Sequence, residues 1–241
     1  MVNVIYLNVT DSTNNYLKAH CSELSDGTTV TAERQSAGRG RRGHGWSTNA
    51  EMLPLSVLLK DPPERETLTA RVGLAVCDAI GKMYEAPPKI GIKWPNDIIA
   101  ADRKVCGILC ESVFFGDNVN VICGIGVNLS QSEEYFRNED LPHAGSLLTT
   151  TGAVPERDRL LREIAASVAK RAKMPFSECY EEYKSRLVNL GKTVRIIGAN
   201  GERTAFAEDV AQNGFLICRD ENGLFEVNSG EVSVRGENGY I

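Results

Sequence analysis

Residues 35–46 read Gln-Ser-Ala-Gly-Arg-Gly-Arg-Arg-Gly-His-Gly-Trp, with four glycines and three arginines among twelve positions. Such a segment is excluded from both kinds of regular structure. Glycine has the largest entropic cost in a helix interior, and neighbouring guanidiniums do not suit a core strand. The apolar runs on either side, beginning at Thr28 and at Met52, are therefore separate strands joined by an exposed excursion. Three guanidiniums on a flexible backbone repel one another unless something anionic sits among them. The rigid fork of arginine matches carboxylate and phosphate oxygens, and glycine lets backbone N–H groups approach as well. The segment reads as a loop that wraps an anion.

The rest of the chain narrows the choice of anion. The net charge is −5, so the loop is a local exception on an acidic body, which argues against a general nucleic-acid binder. At 241 residues the chain suits one large domain, or one domain with a small appendage. Its seven cysteines are odd in number and form no Cys-x-x-Cys pair, and Cys106 and Cys110 share one parity as small apolar side chains. The three histidines are scattered without metal-ligand spacing, so no metal ligands are assigned. Neither a signal peptide nor a membrane-length apolar run is visible, and a reducing cytoplasm is expected.

Strands are expected from Val4, from Thr28 and from Met52, the last with Pro54 marking an edge or a break. A short helix is expected after Asp11-Ser-Thr. Leu68, Val72, Ala75, Val76 and Ile80 recur at helical spacing and predict a helix over 66–84. Strands over 90–94, 105–115 and 119–127 follow, with a hairpin turn at 116–118. Helices are expected over 156–173 and 176–189, broken at Pro175. Beyond Gly191 the chain changes to short alternating strands separated by Asn-Gly turns, the character of a small β-barrel. The boundary is placed between residues 1–189 and 190–241.

Two phosphate motifs fail on context. Gly38-Arg-Gly-Arg-Arg-Gly43 satisfies G-x-G-x-x-G, but His-Gly-Trp-Ser-Thr-Asn follows, and no helix opens there to meet a pyrophosphate. Gly191-Lys-Thr193 lacks the earlier glycine of a P-loop, since Arg186 stands in its place, and it leads into a strand.

Several other segments carry polar groups that need explaining. Ser12-Thr13-Asn14 is a helix cap or a binding notch. Lys93-Trp-Pro-Asn-Asp97 puts an amide and a carboxylate after an apolar strand, as a surface turn or as part of a site. Lys104 opens the strand Val-Cys-Gly-Ile-Leu-Cys-Glu, either solvated or aimed at a ligand. Gly124-Ile-Gly-Val-Asn128 ends a strand as a glycine bulge, or as an edge for a planar heterocycle.

Taken together and in this order, these segments resemble the biotin protein ligase family. The resemblance rests on Asp11-Ser-Thr-Asn14, the loop at 35–46, Lys93-Trp-Pro-Asn-Asp97, Arg103-Lys104 with Gly107-Ile-Leu109, Gly124-Ile-Gly-Val-Asn128 and Ser229-Gly-Glu-Val-Ser-Val-Arg235. It covers nearly the whole chain. It implies an α+β fold in which helices flank a mixed β-sheet of the class II synthetase and biotin–lipoate ligase kind, with a small SH3-like C-terminal β-barrel. It also implies an ATP-dependent, AMP-forming ligase. Such an enzyme makes biotinoyl-5′-AMP with Mg²⁺ on the phosphates, then passes biotin to a lysine of a biotin carboxyl carrier domain.

By resemblance, Ser12, Thr13, Asn14 and Gln35 hold the biotin head. Gly38, Gly40, Gly107 and Leu109 shape its pocket, and Arg39, Arg41 and Lys104 meet the carboxylate and the phosphate. Arg42, Trp46, Asn96, Gly126 and Asn128 complete the ATP side, with Asn128 reading the adenine edge. Asp97 orients the acceptor amine and takes its proton. Two features depart from the family pattern: Pro54 replaces a common aromatic residue, and residues 131–146 lack a tryptophan. The short segment before Ser12 leads us to expect no DNA-binding domain and no DNA partner. Monomers and side-by-side homodimers both occur among such enzymes. The rival readings are a lipoate–protein ligase or lipoyl transferase of the same fold, a biotin-sensing protein without catalysis, and an arginine–glycine RNA binder. The loop together with Lys-Trp-Pro-Asn-Asp favours biotin over lipoate, and the loop's lack of interleaved aromatics disfavours RNA.

Overall fold

The structure is a computed structural model. It describes all residues except Met1, His44, Ser47, Thr48, Asp117, Ala199, Asn200, Gly230, Glu231 and Asn238, and excludes the side chains of Arg42 and Phe115. The expected turns at 116–118, 198–201 and 237–239 therefore lie partly outside the described residues.

A seven-stranded mixed sheet carries the larger part of the molecule, in the order β1-β2-β3-β7-β6-β5-β4. Its strands are β1 (Val4–Thr10), β2 (Thr29–Gln35), β3 (Met52–Leu59), β4 (Ile90–Lys93), β5 (Asp97–Ala100), β6 (Arg103–Phe115) and β7 (Asn118–Asn128). β1 and β2 run parallel, and the remaining pairings are antiparallel. All eight residues of β3 are buried, and the period of two divides them between the faces. Leu53, Leu55, Val57 and Leu59 join the main core, which also takes in α2 (Leu68–Gly81) and α5 (Arg157–Arg171). Leu58 packs on the other face with Leu17 of α1 (Thr13–His20).

Pro54 is a correction. It stands in a central strand, opposite Gly126 of β7, and not at an edge. The pairing of β2 with β3 ends at Thr31 and Leu55. The Pro54 carbonyl points to the β2 side, where it accepts the Thr31 hydroxyl at 2.7 Å. The missing N–H faces the same way, beyond the end of that ladder, and no backbone hydrogen bond is lost.

The helix expected over 66–84 is α2, preceded by a 3-10 turn at Arg65–Thr67. Arg71 on α2 is fully buried. Its guanidinium donates to the carbonyls of Ala172, Met174, Pro63 and Glu64 at 2.6–3.0 Å. It thereby supplies donors to the last carbonyls beyond α5, where a cation also suits the helix dipole. Two short helices, α3 (Glu133–Asn138) and α4 (Leu147–Thr151), were not anticipated, and each opens on a serine cap. α6 (Tyr180–Arg186) follows a 3-10 turn at Phe176–Glu178.

A second sheet is wholly antiparallel, in the order β11-β10-β9-β8-β12. It comprises β8 (Lys192–Gly198), β9 (Gly201–Val210), β10 (Leu216–Asp220), β11 (Gly223–Val227) and β12 (Ser233–Gly236). Trp94 ties the two sheets together. It is buried, its backbone N–H donates to Asn189, and its indole N–H donates to the Gly214 carbonyl at 3.0 Å.

Candidate active site

A cavity of about 490 Å³ lies between the sheets. One end is built by the start of α1. Ser12 is the N-cap residue by position, yet its side chain makes no cap hydrogen bond and lies on the cavity wall. The capping alternative is thus not the arrangement found. The Gln35 side-chain carbonyl, at the end of β2, accepts from the Thr13 N–H at 2.8 Å and lies 3.1 Å from the Thr13 hydroxyl. Ser56, buried in β3, stands 2.7 Å from the Thr13 hydroxyl and 2.5 Å from the Asn14 amide oxygen. Asn14 donates in turn to Glu111 at 2.8 Å. These buried polar groups are cross-braced, which keeps the notch rigid.

The loop at 35–46 is a small hairpin. Arg39 and Gly45 form an antiparallel bridge, and the Trp46 N–H donates to the Gly38 carbonyl at 2.8 Å. Gly38 therefore closes the hairpin from behind the wall, while Gly40 lies on it. Arg41 begins a 3-10 turn and reaches across the cavity. Its guanidinium donates to Asn96 at 2.8 Å and to the carbonyls of Ser229 and Val232, joining the loop to the second sheet. Arg39 pairs with Glu111 at 3.3 Å and donates to Asn15 at 3.1 Å. Burial works to raise the Glu111 carboxyl, but Lys18, Asn14 and Arg39 together hold it below the usual carboxylate range. The Arg42 side chain lies outside the described residues.

Trp46 fills space left by two glycines on neighbouring strands. A Cβ on Gly126 would come within 2.5 Å of its indole, and one on Gly107 within 3.0 Å. The glycines permit this close approach of a ring to the sheet, and on the same strand Leu109 lines the wall. The Lys104 ammonium stands 5.5 Å from the Trp46 ring centre and pairs with Asp97 at 2.7 Å. Asp97 is buried at the start of β5, and its other oxygen accepts from the Tyr240 hydroxyl. Burial alone would raise the Asp97 carboxyl, but the charges of Lys104 and Lys93 and the hydrogen bonds hold it below its ordinary range. Asn96 is fixed by mutual hydrogen bonds with the Ile108 backbone at 3.0 Å.

Asn128 is placed differently from expectation. It does not line the cavity, because its amide donates to the Gly145 carbonyl at 2.9 Å and to the Lys104 carbonyl at 3.4 Å. Its hydrogen-bonding edge is spent supporting residues 140–144, which themselves form the wall. That segment is tied to Lys104 by a parallel bridge at Ala144.

Lys93, His143, Arg235 and Tyr240 are among the wall residues to which no role was assigned. Lys93 and Arg235 lie in quoted motifs, so a search for cations beside the assigned ones could have found them. Tyr240 sits in no motif. Burial brings the Lys93 ammonium down to about 8, although Asp97 opposes the fall, and Lys93 donates to the Val234 carbonyl at 2.6 Å. Among the described residues, five cations, Arg39, Arg41, Lys93, Lys104 and Arg235, thus share a wall on which the carboxylates are Asp97 and Asp140. Among the described residues no cluster of three or more metal-ligating side chains occurs.

Residues 6–128 match the family described as Biotin/lipoate A/B protein ligase, and residues 190–235 match the Biotin protein ligase C terminal domain. The chain is 35% identical to the biotin–[acetyl-CoA-carboxylase] ligase of Mycobacterium tuberculosis, over 92% of this chain and 85% of that one. It is 30% identical to the corresponding ligase of Paracoccus denitrificans, over 94% and 98%. It superposes on the biotin protein ligase of Aquifex aeolicus in complex with biotin and ATP with a TM-score of 0.84. The identity there is 31%, covering 98% of this chain and all of the other. Fold and site define a ligase of the biotin and lipoate class. Within that class, the chain belongs to the biotin protein ligase family.

Proposed function

We propose that the chain activates biotin with ATP and transfers it to a lysine of a biotin carboxyl carrier domain. In the first step a biotin carboxylate oxygen attacks the α-phosphorus, and pyrophosphate leaves. In the second the acceptor amine attacks the acyl carbon, AMP leaves, and the amine's proton passes to solvent. The observation that carries this reading is one cavity holding a rigid polar notch at one end and five cations along its wall. Two unit charges 4 Å apart repel by about 4 kcal/mol at an effective dielectric of 20. Bringing a carboxylate to a phosphate therefore requires fixed cations, and these stand in place before the reaction.

In this reading Ser12, Thr13, Asn14 and Gln35 take the biotin head, with Gly107 and Leu109 along its length. Arg39, Arg41 and Lys104 meet the carboxylate and the α-phosphate. Lys93 and Arg235 extend the positive wall for the phosphate tail, while Trp46, Asn96 and Gly126 bound the nucleotide. Asn128 acts by holding the 140–144 wall in place. The low pKa of Asp97 suits it to orienting the acceptor amine better than to taking its proton. Mg²⁺ would enter as part of the ATP substrate, since the described residues of the wall offer no carboxylate cage for it.

Residues 1–189 form the catalytic domain and 190–241 an SH3-like module that contributes Val232, Ser233, Arg235 and Tyr240 to the same wall. The acidic net charge supports a protein acceptor over DNA. No helix among the described residues is long and apolar enough to cross a membrane. All seven cysteines are free, which suits the cytoplasm.

The test is to mix the protein with ATP, Mg²⁺ and either biotin or lipoate, and to weigh the products. Biotinoyl-AMP is expected. Lipoyl-AMP alone, or no adenylate, would refute the proposal.

A further inference from the structure

Beyond β12 the described residues fold back on the strand. Gly236 and Gly239 form an antiparallel bridge, and a Cβ on Gly236 would come within 2.4 Å of Ile241. This tight fold-back turns Tyr240 into the cavity, where only 9% of it stays exposed. Its ring stacks on His143 at 5.3 Å with an interplanar angle of 15°. The Lys93 ammonium stands 4.2 Å from the ring centre and the Arg235 guanidinium 4.9 Å. The hydroxyl donates to the Asp97 oxygen that Lys104 leaves free. The C-terminal family match ends at residue 235, so this contact comes from outside the matched segment.

A buried tyrosine hydroxyl needs a partner, and any backbone carbonyl would serve if the tail were only being anchored. Here the partner is the carboxylate that holds Lys104. We infer that Tyr240 is a positioning residue for the activation step: its hydroxyl fixes the Asp97 carboxylate, so that the other oxygen keeps the Lys104 ammonium aimed into the cavity. The inference rests on the proposed activation of biotin by ATP at this cavity. With one oxygen untethered, the carboxylate rotates about its last bond and the 2.7 Å pair with Lys104 loses its direction. Asp97 is faced by Lys104 from β6, Lys93 from β4 and Tyr240 from the tail; the tyrosine ring is faced in addition by His143 and Arg235. Replacing the hydroxyl by hydrogen leaves all of these in place. The hydroxyl is among the groups that keep the Asp97 carboxyl low, so its loss moves that carboxyl upward.

The experiment compares Tyr240→Phe and Tyr240→Leu with the wild type in full-length protein, with thermal unfolding recorded for each. Biotin-dependent pyrophosphate release should fall roughly tenfold in kcat in both variants. KM for biotin and for ATP should stay within about twofold, because the Tyr240 hydroxyl is given to Asp97 and not to either substrate. The acid limb of the rate profile, and the ¹³C carboxyl titration of Asp97, should both move to higher pH in Tyr240→Phe. A Phe variant with wild-type kcat and an unmoved Asp97 titration would overturn the inference, whether or not the Leu variant folds. So would activity lost only in the Leu variant, since the ring would then merely fill space. The NMR titration needs no substrate. If the wild type makes no biotinoyl-AMP and yet Asp97 shifts in Tyr240→Phe, the tether stands and the proposed reaction is what fails.

Discussion

Lys104→Met should remove adenylate formation while leaving the protein folded, and both halves of that statement can be sized. The Lys104 ammonium pairs with Asp97 at 2.7 Å, with side-chain exposures of 25% and 11%. Removing one partner of a fully buried pair costs about 3–5 kcal/mol. This pair is partly wet, and Asp97 keeps the Tyr240 hydroxyl and the nearby charge of Lys93. The expected stability loss therefore lies between that of an exposed and of a fully buried ion pair, about 1.5–3 kcal/mol. For a chain of this size that lowers the melting temperature by roughly 3–12 °C, well short of unfolding at assay temperature. The catalytic loss is larger. Deleting one fixed donor from a site of developing charge costs about 2.7–4 kcal/mol, or 10²–10³ in kcat. The variant also leaves Asp97 with only the charge of Lys93 to offset it near the incoming carboxylate, which worsens the repulsion by up to about 4 kcal/mol at 4 Å. Adding Asp97→Asn removes that repulsion and should restore part of the stability and part of the rate, leaving the loss due to the missing donor. The assay is biotin-dependent pyrophosphate release, with circular dichroism melts on the same samples. Pyrophosphate release within a few-fold of wild type, on a folded protein, would refute the placement of Lys104 at the reacting centre.

Arg41→Gly should cut the loop's tie to Asn96 and to the second sheet, and release biotinoyl-AMP roughly tenfold faster, the equivalent of one lost hydrogen bond. Labelling of bystander lysines reports this, and an intermediate held as tightly as in the wild type would contradict it. Arg71→Ala removes four hydrogen bonds to backbone carbonyls, of which the Glu64 carbonyl keeps the Thr67 N–H and hydroxyl, and should cost about 3 kcal/mol, read as a lower denaturant midpoint. The Lys93 ammonium titrates at about 8 in the folded protein against 10.5 for an ordinary lysine, so the unfolded chain binds more protons between those values. Wild-type stability should therefore rise, relative to Lys93→Met, as pH increases from about 8 toward 10, by up to about 3 kcal/mol. Equal slopes for the two proteins in urea melts across that window would discard the assignment.

Local chemistry sufficed wherever neighbours in sequence set the outcome. The period of α2 follows from Leu68, Val72, Ala75 and Val76, and the glycines after Gln35 leave room only for a single bridge and one 3-10 turn. The motif residues 12–14, 39–41, 96–97, 104 and 107–109 converge on one wall, drawn from the start of α1, the loop after β2, the start of β5, and strand β6. Other positions depended on partners far along the chain. Pro54 is tolerated in a central strand because the β2 ladder stops at Leu55, a fact of register that no local pattern carries. Ser12 fits the cap pattern and yet faces the cavity, because the side chain's direction is decided by what surrounds it.

By itself, the sequence determined the chemistry available to this protein: arginines on a glycine backbone, a notch of hydroxyls and amides, and a lysine beside an aspartate. Residue type sets charge and hydrogen-bonding capacity without reference to the fold. Only the tertiary structure decided how those groups are occupied. It spends the Asn128 amide on the Gly145 carbonyl and not on the cavity. It divides the Asp97 oxygens between Lys104 and a tyrosine 143 residues away. A carboxylate has two oxygens and a buried one must satisfy both, so its role depends on which donors the packed chain delivers.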